Sequence, residues 1–492
     1  MGRLLVFLLA VSTALPAAAQ RLPLQARAVA ILGSDARWSA YAYSLDRRTP
    51  LFSIRADELR VPASNNKVFT GIWALDELGP DYRFPTDLLL AGPIVDGVLK
   101  GDVVLRGSGD PAFGYPAFEV DPMDPLRTTA RRLRALGIQR VEGGVIADAT
   151  VFDDTLFGPE WPNDTGNGVS RYAPRVSGLS FQRNLLRVQV IPVRGGKPRV
   201  ETSPRTTAIP VVSTVGSGGG RAWATREPDS DTIRVRGSVS GRGSFRYEIG
   251  VARPALLAGE ALREALEESG ITVADETRTG ETPPGAQLVH RHFSIRLAEM
   301  IPELNRHSDN FFAEHLWKAA AARAVGQGSY ALGAPRSAIH FARRTAMPYG
   351  ELWQADGSGL SAENRTTARA LVAALAYAHR RPWAPLYHSS LALAGDPHGT
   401  LRRLFRGTAA AGNLHAKTGY IRGVRTLSGY VRTRGGENVA FSFLYNGNNT
   451  SGARSVQQEL GTLLASYGAP AAAAAPATAA ADDTPTSAPT AR

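Results

Sequence analysis

The chain has no cysteine in 492 residues. That excludes disulfides, thiolate metal sites and cysteine nucleophiles. It also lacks a His-Glu-x-x-His run, which argues against a metallopeptidase, and a Gly-x-Ser-x-Gly elbow, which argues against an ordinary α/β-hydrolase. Beyond the first residues, no apolar run approaches the length of a membrane-spanning helix. Acidic residues are in deficit: 44 Asp and Glu face 56 Lys and Arg, a net charge of +12. The basic residues are scattered and form no stripe with interleaved aromatics, so no nucleic-acid partner is expected. The excess charge reads as solubility and attraction to some polyanion.

What is present begins with Arg3, an apolar stretch from Leu4 to Leu15, and Ala17-Ala18-Ala19. This predicts a signal peptide over 1–19, export across the inner membrane, and no integral membrane segment once it is removed. A length of 492 residues, 43% of them hydrophobic, is enough for two or three domains. Trp38–Leu45 and Leu51–Ile54 read as strands joined by a turn. From 86 to 285 the chain turns to glycine and short β-like runs, so an inserted, mostly β region of one or two lobes is expected. Its inner lobe is placed roughly at 100–180. Helical periodicity resumes near Ile295, and three antiparallel strands are expected at Asn413–Tyr420, Val424–Arg432 and Asn438–Tyr445. A last helix ends near Tyr467. Residues 468–492 are an Ala/Pro/Thr tail with almost nothing to pack.

Pro62 opens a run with helical apolar spacing (Val68, Ile72, Leu75) that stops at Gly79-Pro80. Ser64 and Lys67 are therefore placed one turn apart on one face. In an apolar cleft an ammonium loses its proton more easily, and a neutral amine is a base for the neighbouring hydroxyl. Two further motifs follow in order: Ser308-Asp309-Asn310 at the start of a helical run, and Lys417-Thr418-Gly419 on the first C-terminal strand. Ser-x-x-Lys, Ser-Asp-Asn and Lys-Thr-Gly occur together in penicillin-binding proteins and class A β-lactamases. The chemistry explains the set. Ser64 with Lys67 supplies nucleophile and base, and Ser308 with Lys417 can relay a proton to a leaving amine. Asn310 can hold a substrate amide and touch Lys67. Lys417 and Thr418 suit a terminal carboxylate. The N–H groups of Ser64 and Tyr420 can form an oxyanion hole, and Gly419 leaves room for a substrate backbone.

On these motifs the chain resembles the class C low-molecular-mass penicillin-binding proteins, the D-alanyl-D-alanine carboxypeptidase/endopeptidase family. Gly107-Ser108-Gly109-Asp110-Pro111, Asp148–Phe152, Trp161, Tyr172, Pro174, Asp356–Ser361 and Gly399-Thr400-Leu401 resemble further landmarks of that family. So does the 244-residue interval from Ser64 to Ser308, far longer than in a minimal β-lactamase. The resemblance implies an α+β fold: a transpeptidase-like domain, an antiparallel sheet flanked by helices, built from 20–85 and 286–467 and split by the insertion. It implies cleavage of D-Ala-D-Ala ends and D-Ala–diaminopimelate cross-links in peptidoglycan stem peptides, covalent inhibition by β-lactams, no cofactor or metal, and a periplasmic location. Asp148 and Phe152 match a patch that in relatives borders the cleft and reads the diaminopimelate side chain; as a residue type, Asp148 equally fits a structural turn. Tyr420 departs from the small residue common after Lys-Thr-Gly. Two alternatives remain on the sequence: a β-lactamase using Glu314, Glu351 or Glu363 as base, and a catalytically weak wall-binding or scaffold protein. A Ser-His-Asp hydrolase using His307 or His415 is a weaker third. The oligomeric state is not written in the sequence.

Overall fold

The computed structural model describes residues 23–161, 172–227, 230–241 and 243–468. The expected signal peptide, and the tail after Gly468, lie outside the described residues. Among those described, no helix is long and apolar enough to cross a membrane.

The larger sheet has six antiparallel strands and is covered by helices on both faces. Its strand order is Thr49–Ile54, Trp38–Ser44, Asn438–Asn446, Val424–Arg432, His415–Ile421 and Ala392–Leu393. The two-residue alternation of a strand separates the two cores. From one strand, Val439, Phe441, Phe443 and Tyr445 pack with Leu24, Leu32, Leu460 and Leu464 of the two terminal helices. Ala440 and Leu444 of the same strand turn the other way, onto a larger helical core.

Two helices run through that larger core, Asn66–Leu78 and Asn310–Val325. Ten consecutive residues of the first, Asn66–Leu75, are buried, as are Asn310–Ala321 of the second, so both are enclosed rather than amphipathic. They meet where the rings of Trp73 and Trp317 pack edge to face at 5.5 Å. Gly79 (φ +87°) and Gly326 (φ +89°) end them. Asp309 caps the second by accepting from Phe312 N.

The insertion holds more strand than helix, as expected, with two helices packed on its main sheet. Its main sheet has the order Arg278–Thr279, Val145–Asp148, Asp102–Arg106, Arg83–Ala91, Gln287–Arg296. The first three strands are parallel to one another. Helices Asp124–Ala135 and Pro254–Glu268 cover one face through Leu126, Leu133, Leu262 and Leu266. This unit is α/β, as parallel strands with helical crossovers require. The nested all-β unit lies not at 100–180 but around Leu185–Ile191, which pairs with Arg199–Ser203 and Phe245–Gly250. Its own core contains Leu186, Val188, Val190, Ile233 and Val235. Boundaries at 86 and 285 do not hold either: Arg83–Ala91 starts before the first and pairs with Gln287–Arg296, which lies beyond the second. The two chain crossings form one ladder of the inserted sheet, which composition could not reveal.

Candidate active site

The serine turn sits against the sheet by two long-range bonds. Thr426 Oγ1 donates to Pro62 O at 2.7 Å, and Asn65 Nδ2 donates to Lys417 O at 3.0 Å. Two site positions are strained: Ala63, immediately before Ser64, has φ +46°, and Ser308, ahead of the helix Asn310–Val325, has φ +59°. Such conformations cost about 1–3 kcal/mol each and persist where the surroundings over-determine them.

The expected catalytic residues converge on one cavity of about 320 Å³, lined by Ser64, Tyr172, Ser308, Asn310, Thr418 and Tyr420 among others. Lys67 Nζ donates to Ser64 Oγ at 3.2 Å, to Asn310 Oδ1 at 2.6 Å and to Ser358 O at 2.7 Å. Its side chain is wholly buried. Burial pushes its pKa down from 10.5 to about 8, while the carboxylates of Glu314, Asp356 and Asp309 pull the other way. Lys417 Nζ donates to Ser308 Oγ at 2.7 Å and to Thr418 O at 2.8 Å. It too is buried, and burial followed by the charge of Lys67 holds its proton affinity well below the ordinary lysine value. Asn310 Nδ2 donates to Tyr172 O at 2.5 Å, so its orientation is set from both ends.

Lys417–Ile421 presents an open strand edge. Pairing with Ala392–Leu393 stops at His415 and Ala416. Gly419 needs to be glycine, because a Cβ there would stand 2.0 Å from Thr426 Oγ1 and 2.9 Å from Pro62 O.

The segment Asp356–Ser361 supplies the carbonyl that holds Lys67, and its support was not legible in the sequence. Glu314, in mid-helix, accepts from Gly357 N at 2.9 Å, Ser358 N at 2.7 Å and Tyr330 OH at 2.9 Å. A carboxylate in the mostly apolar run Phe311–Leu316 was the one available signal. Its pKa is raised to about 7 by burial and by the charge of Asp356. Asp356 in turn accepts from Trp161 Nε1 at 2.8 Å and from Asn364 Nδ2 at 2.9 Å. Gly359, at φ +81°, lies so close to Ala63 that a Cβ would meet its carbonyl oxygen at 1.8 Å.

Asp148 and Phe152 do not line this cavity. The Asp148 carboxylate accepts from Thr150 N (3.0 Å) and Oγ1 (2.7 Å), from Thr282 N (2.9 Å) and from Thr282 Oγ1. Burial alone would raise its pKa; the Thr282 and Thr150 hydrogen bonds outweigh that and lower it. It holds a turn. The Phe152 ring is buried against Gly109 and Gly328. Histidine is not the partner of Ser64: His307 lines the cavity, but the Ser64 hydroxyl is bonded to Lys67, and the His415 ring lies 4.3 Å from that of His388.

The profile of the D-Ala-D-Ala carboxypeptidase 3 (S13) family matches residues 28–467. A D-alanyl-D-alanine carboxypeptidase of Actinomadura sp. (strain R39) is 33% identical over 442 residues, covering 85% of this chain and 79% of that protein. The D-alanyl-D-alanine carboxypeptidase DacB of Haemophilus influenzae is 25% identical, covering 79% and 81%. Among solved structures, penicillin binding protein 4 (dacB) from Haemophilus influenzae superposes with a TM-score of 0.70 at 22% identity, covering 89% of this chain and 99% of that one. The same protein complexed with a β-lactam gives 0.66 at 21% identity, covering 88% and 98%.

Proposed function

The chain belongs to the D-Ala-D-Ala carboxypeptidase 3 (S13) family, and from that membership we infer that it is a serine-type DD-peptidase working through an acyl-enzyme. The observation that carries the mechanism is the contact of Lys67 with both Ser64 and Asn310 in a buried position.

In this reading Ser64 Oγ attacks the carbonyl of the penultimate D-Ala, and its proton passes to neutral Lys67 Nζ. The N–H groups of Ser64 and Tyr420 receive the oxyanion. The terminal carboxylate of the substrate lies against Lys417 and Thr418. When the C–N bond breaks, the leaving amine takes the proton of Ser308, which Lys417 Nζ, 2.7 Å away, replaces. Water then splits the ester, giving its hydroxide to the acyl group and a proton to Ser64 Oγ, and transfer of the proton held by Lys67 to Lys417 restores both amines. The leaving amine is D-Ala in a carboxypeptidase reaction, or diaminopimelate in cleavage of a cross-link. A β-lactam enters by the same attack, but its amine stays tethered to the acyl group. No step calls on a metal or cofactor.

The β-lactamase alternative requires a carboxylate free to activate water beside Ser64. Both oxygens of Glu314 are already bonded to the Asp356–Ser361 segment and Tyr330, which speaks against it. Against the scaffold alternative stands the complete set of nucleophile, base and relay. Export to the periplasm is part of the proposal and rests on the N-terminal sequence. So does a division into a catalytic unit and an insertion of two nested lobes, which rests on the separate cores.

Intact mass after incubation with benzylpenicillin, alongside release of D-Ala from a D-Ala-D-Ala peptide, tests the reading. One adduct, absent in Ser64→Ala, is the expected result. No adduct with penicillin intact overturns it in favour of a scaffold; rapid destruction of penicillin overturns it in favour of a β-lactamase.

A further inference from the structure

The turn Gln182–Asn184 belongs to the insertion, and its three residues all have left-handed backbones, with φ of +48°, +58° and +60°. Such a run persists only where its surroundings over-determine it. Here Gln182 N donates to Phe113 O at 3.0 Å, Val251 N donates to Asn184 O at 3.1 Å, and Asn184 Nδ2 donates to Arg175 O at 3.0 Å. The turn sends its middle residue, Arg183, out of the insertion and onto the helix Asn310–Val325. The guanidinium carbon lies 4.9 Å from the ring centre of Tyr115, 5.1 Å from that of Phe311 and 6.0 Å from that of Phe312, within cation–π reach of all three. Its Nη2 donates to Asp309 Oδ2 at 2.7 Å, and the arginine side chain of this ion pair is only 10% exposed.

Asp309 is the middle residue of Ser308-Asp309-Asn310, and both its oxygens are engaged, one by Arg183 and the other by Phe312 N at the helix cap. On either side of it stand the groups that meet the two buried amines, Ser308 on Lys417 and Asn310 on Lys67. Ser308 is held there at φ +59°. The charge of Asp309 also reaches Lys67, where it favours the protonated amine. A guanidinium bonded to that carboxylate works in the opposite sense. We propose that Arg183 is a positioning residue through which the insertion completes the catalytic centre: it braces Asp309, and with it Ser308 and Asn310, and it offsets the Asp309 charge that faces Lys67. This step rests on the DD-peptidase reading above, in which Lys67 must be neutral to take the Ser64 proton.

The test is the pH profile of acylation by benzylpenicillin, whose midpoint follows the Lys67 proton. Arg183→Gln leaves the Asp309 charge unopposed, so the midpoint should move up by about half a pH unit or more. The high-pH plateau should fall about tenfold as Ser308 and Asn310 lose their brace. Arg183→Lys keeps the charge and should keep the midpoint. Asp309→Asn retains an oxygen for Phe312 N but leaves Arg183 unopposed, so its midpoint should move down; the double variant Arg183→Gln with Asp309→Asn should return towards the wild type. Glu303 also faces Asp309, with His307 and Arg306 beside it, and Glu314, Asp356 and Lys417 face Lys67; all are unchanged in these variants. A purely structural role slows acylation without moving the midpoint. A midpoint unmoved or lowered in Arg183→Gln therefore overturns the proposal, whatever happens to the plateau. If Arg183→Gln does not fold, Asp309→Asn decides, and a midpoint unmoved or raised there overturns it. A wild type that is not acylated at all removes the DD-peptidase reading and this proposal with it; an acylated wild type leaves only the role of Arg183 at stake.

Discussion

Lys67 and Lys417 lie buried behind one cavity, on a helix and a strand, and the charge on Lys67 lowers the proton affinity of Lys417. Each is bonded to a hydroxyl that the proposed reaction uses, Ser64 for the first and Ser308 for the second. Among the described residues neither forms an ion pair. Burial disfavours the charged form of both amines, which is what a base for Ser64 needs.

Acylation by benzylpenicillin should accordingly rise with pH. Lys67 is depressed to about 8, so the neutral amine grows in as pH climbs from 6 through 8 and levels off above. Lys67→Arg, which keeps the proton at all these values, should slow acylation about 1,000-fold, within the range of general-base effects. A flat profile from pH 6 to 9 would remove Lys67 from the role of base.

Glu314 supports the nucleophile at a distance. Glu314→Gln replaces an acceptor of two backbone N–H groups by a group with one oxygen, so Gly357 or Ser358 loses its partner. The expected loss is about 1.5–3 kcal/mol of stability, with slower acylation as the Ser358 carbonyl loosens from Lys67. Thermal denaturation and the acylation rate check both. The lifetime of the penicilloyl adduct should stay the same; a much longer one would make Glu314 a deacylation base.

Gly359→Ala should be more damaging. The position combines φ +81° with a Cβ only 1.8 Å from Ala63 O, the residue before the nucleophile. Strain and overlap together should cost about 2–4 kcal/mol and abolish labelling by penicillin. Denaturant titration and labelling measure the two losses.

Asp148→Asn should cost stability rather than chemistry. Four hydrogen bonds hold its folded pKa below the unfolded value of about 3.9. Its stabilising contribution is thus present above that pH and is lost as pH falls through the folded pKa. The variant should be about 1–3 kcal/mol less stable at neutral pH, with the difference from wild type vanishing in acid. Penicillin acylation should change less than twofold. A raised KM for stem peptides at unchanged stability would instead make Asp148 a substrate reader.

Much of this protein is local in origin. A Ser-x-x-Lys spacing puts two side chains on one helical face whatever surrounds it, and Asn438–Asn446 displays its two faces by simple alternation. The catalytic sheet and the residues round the cavity were therefore readable from residue order. Other features depend on partners distant in sequence. The low proton affinity of Lys67 comes from burial by elements some 240–290 residues away, the commitment of Glu314 from the Asp356–Ser361 segment, and that of Asp148 from Thr282. The edges of the inserted sheet escaped a reading of the sequence for the same reason, since Arg83–Ala91 finds Gln287–Arg296 across the whole insertion. Spacing along the chain determines which side chains share a face; desolvation, strand partners and spent hydrogen bonds are set only when the chain closes on itself.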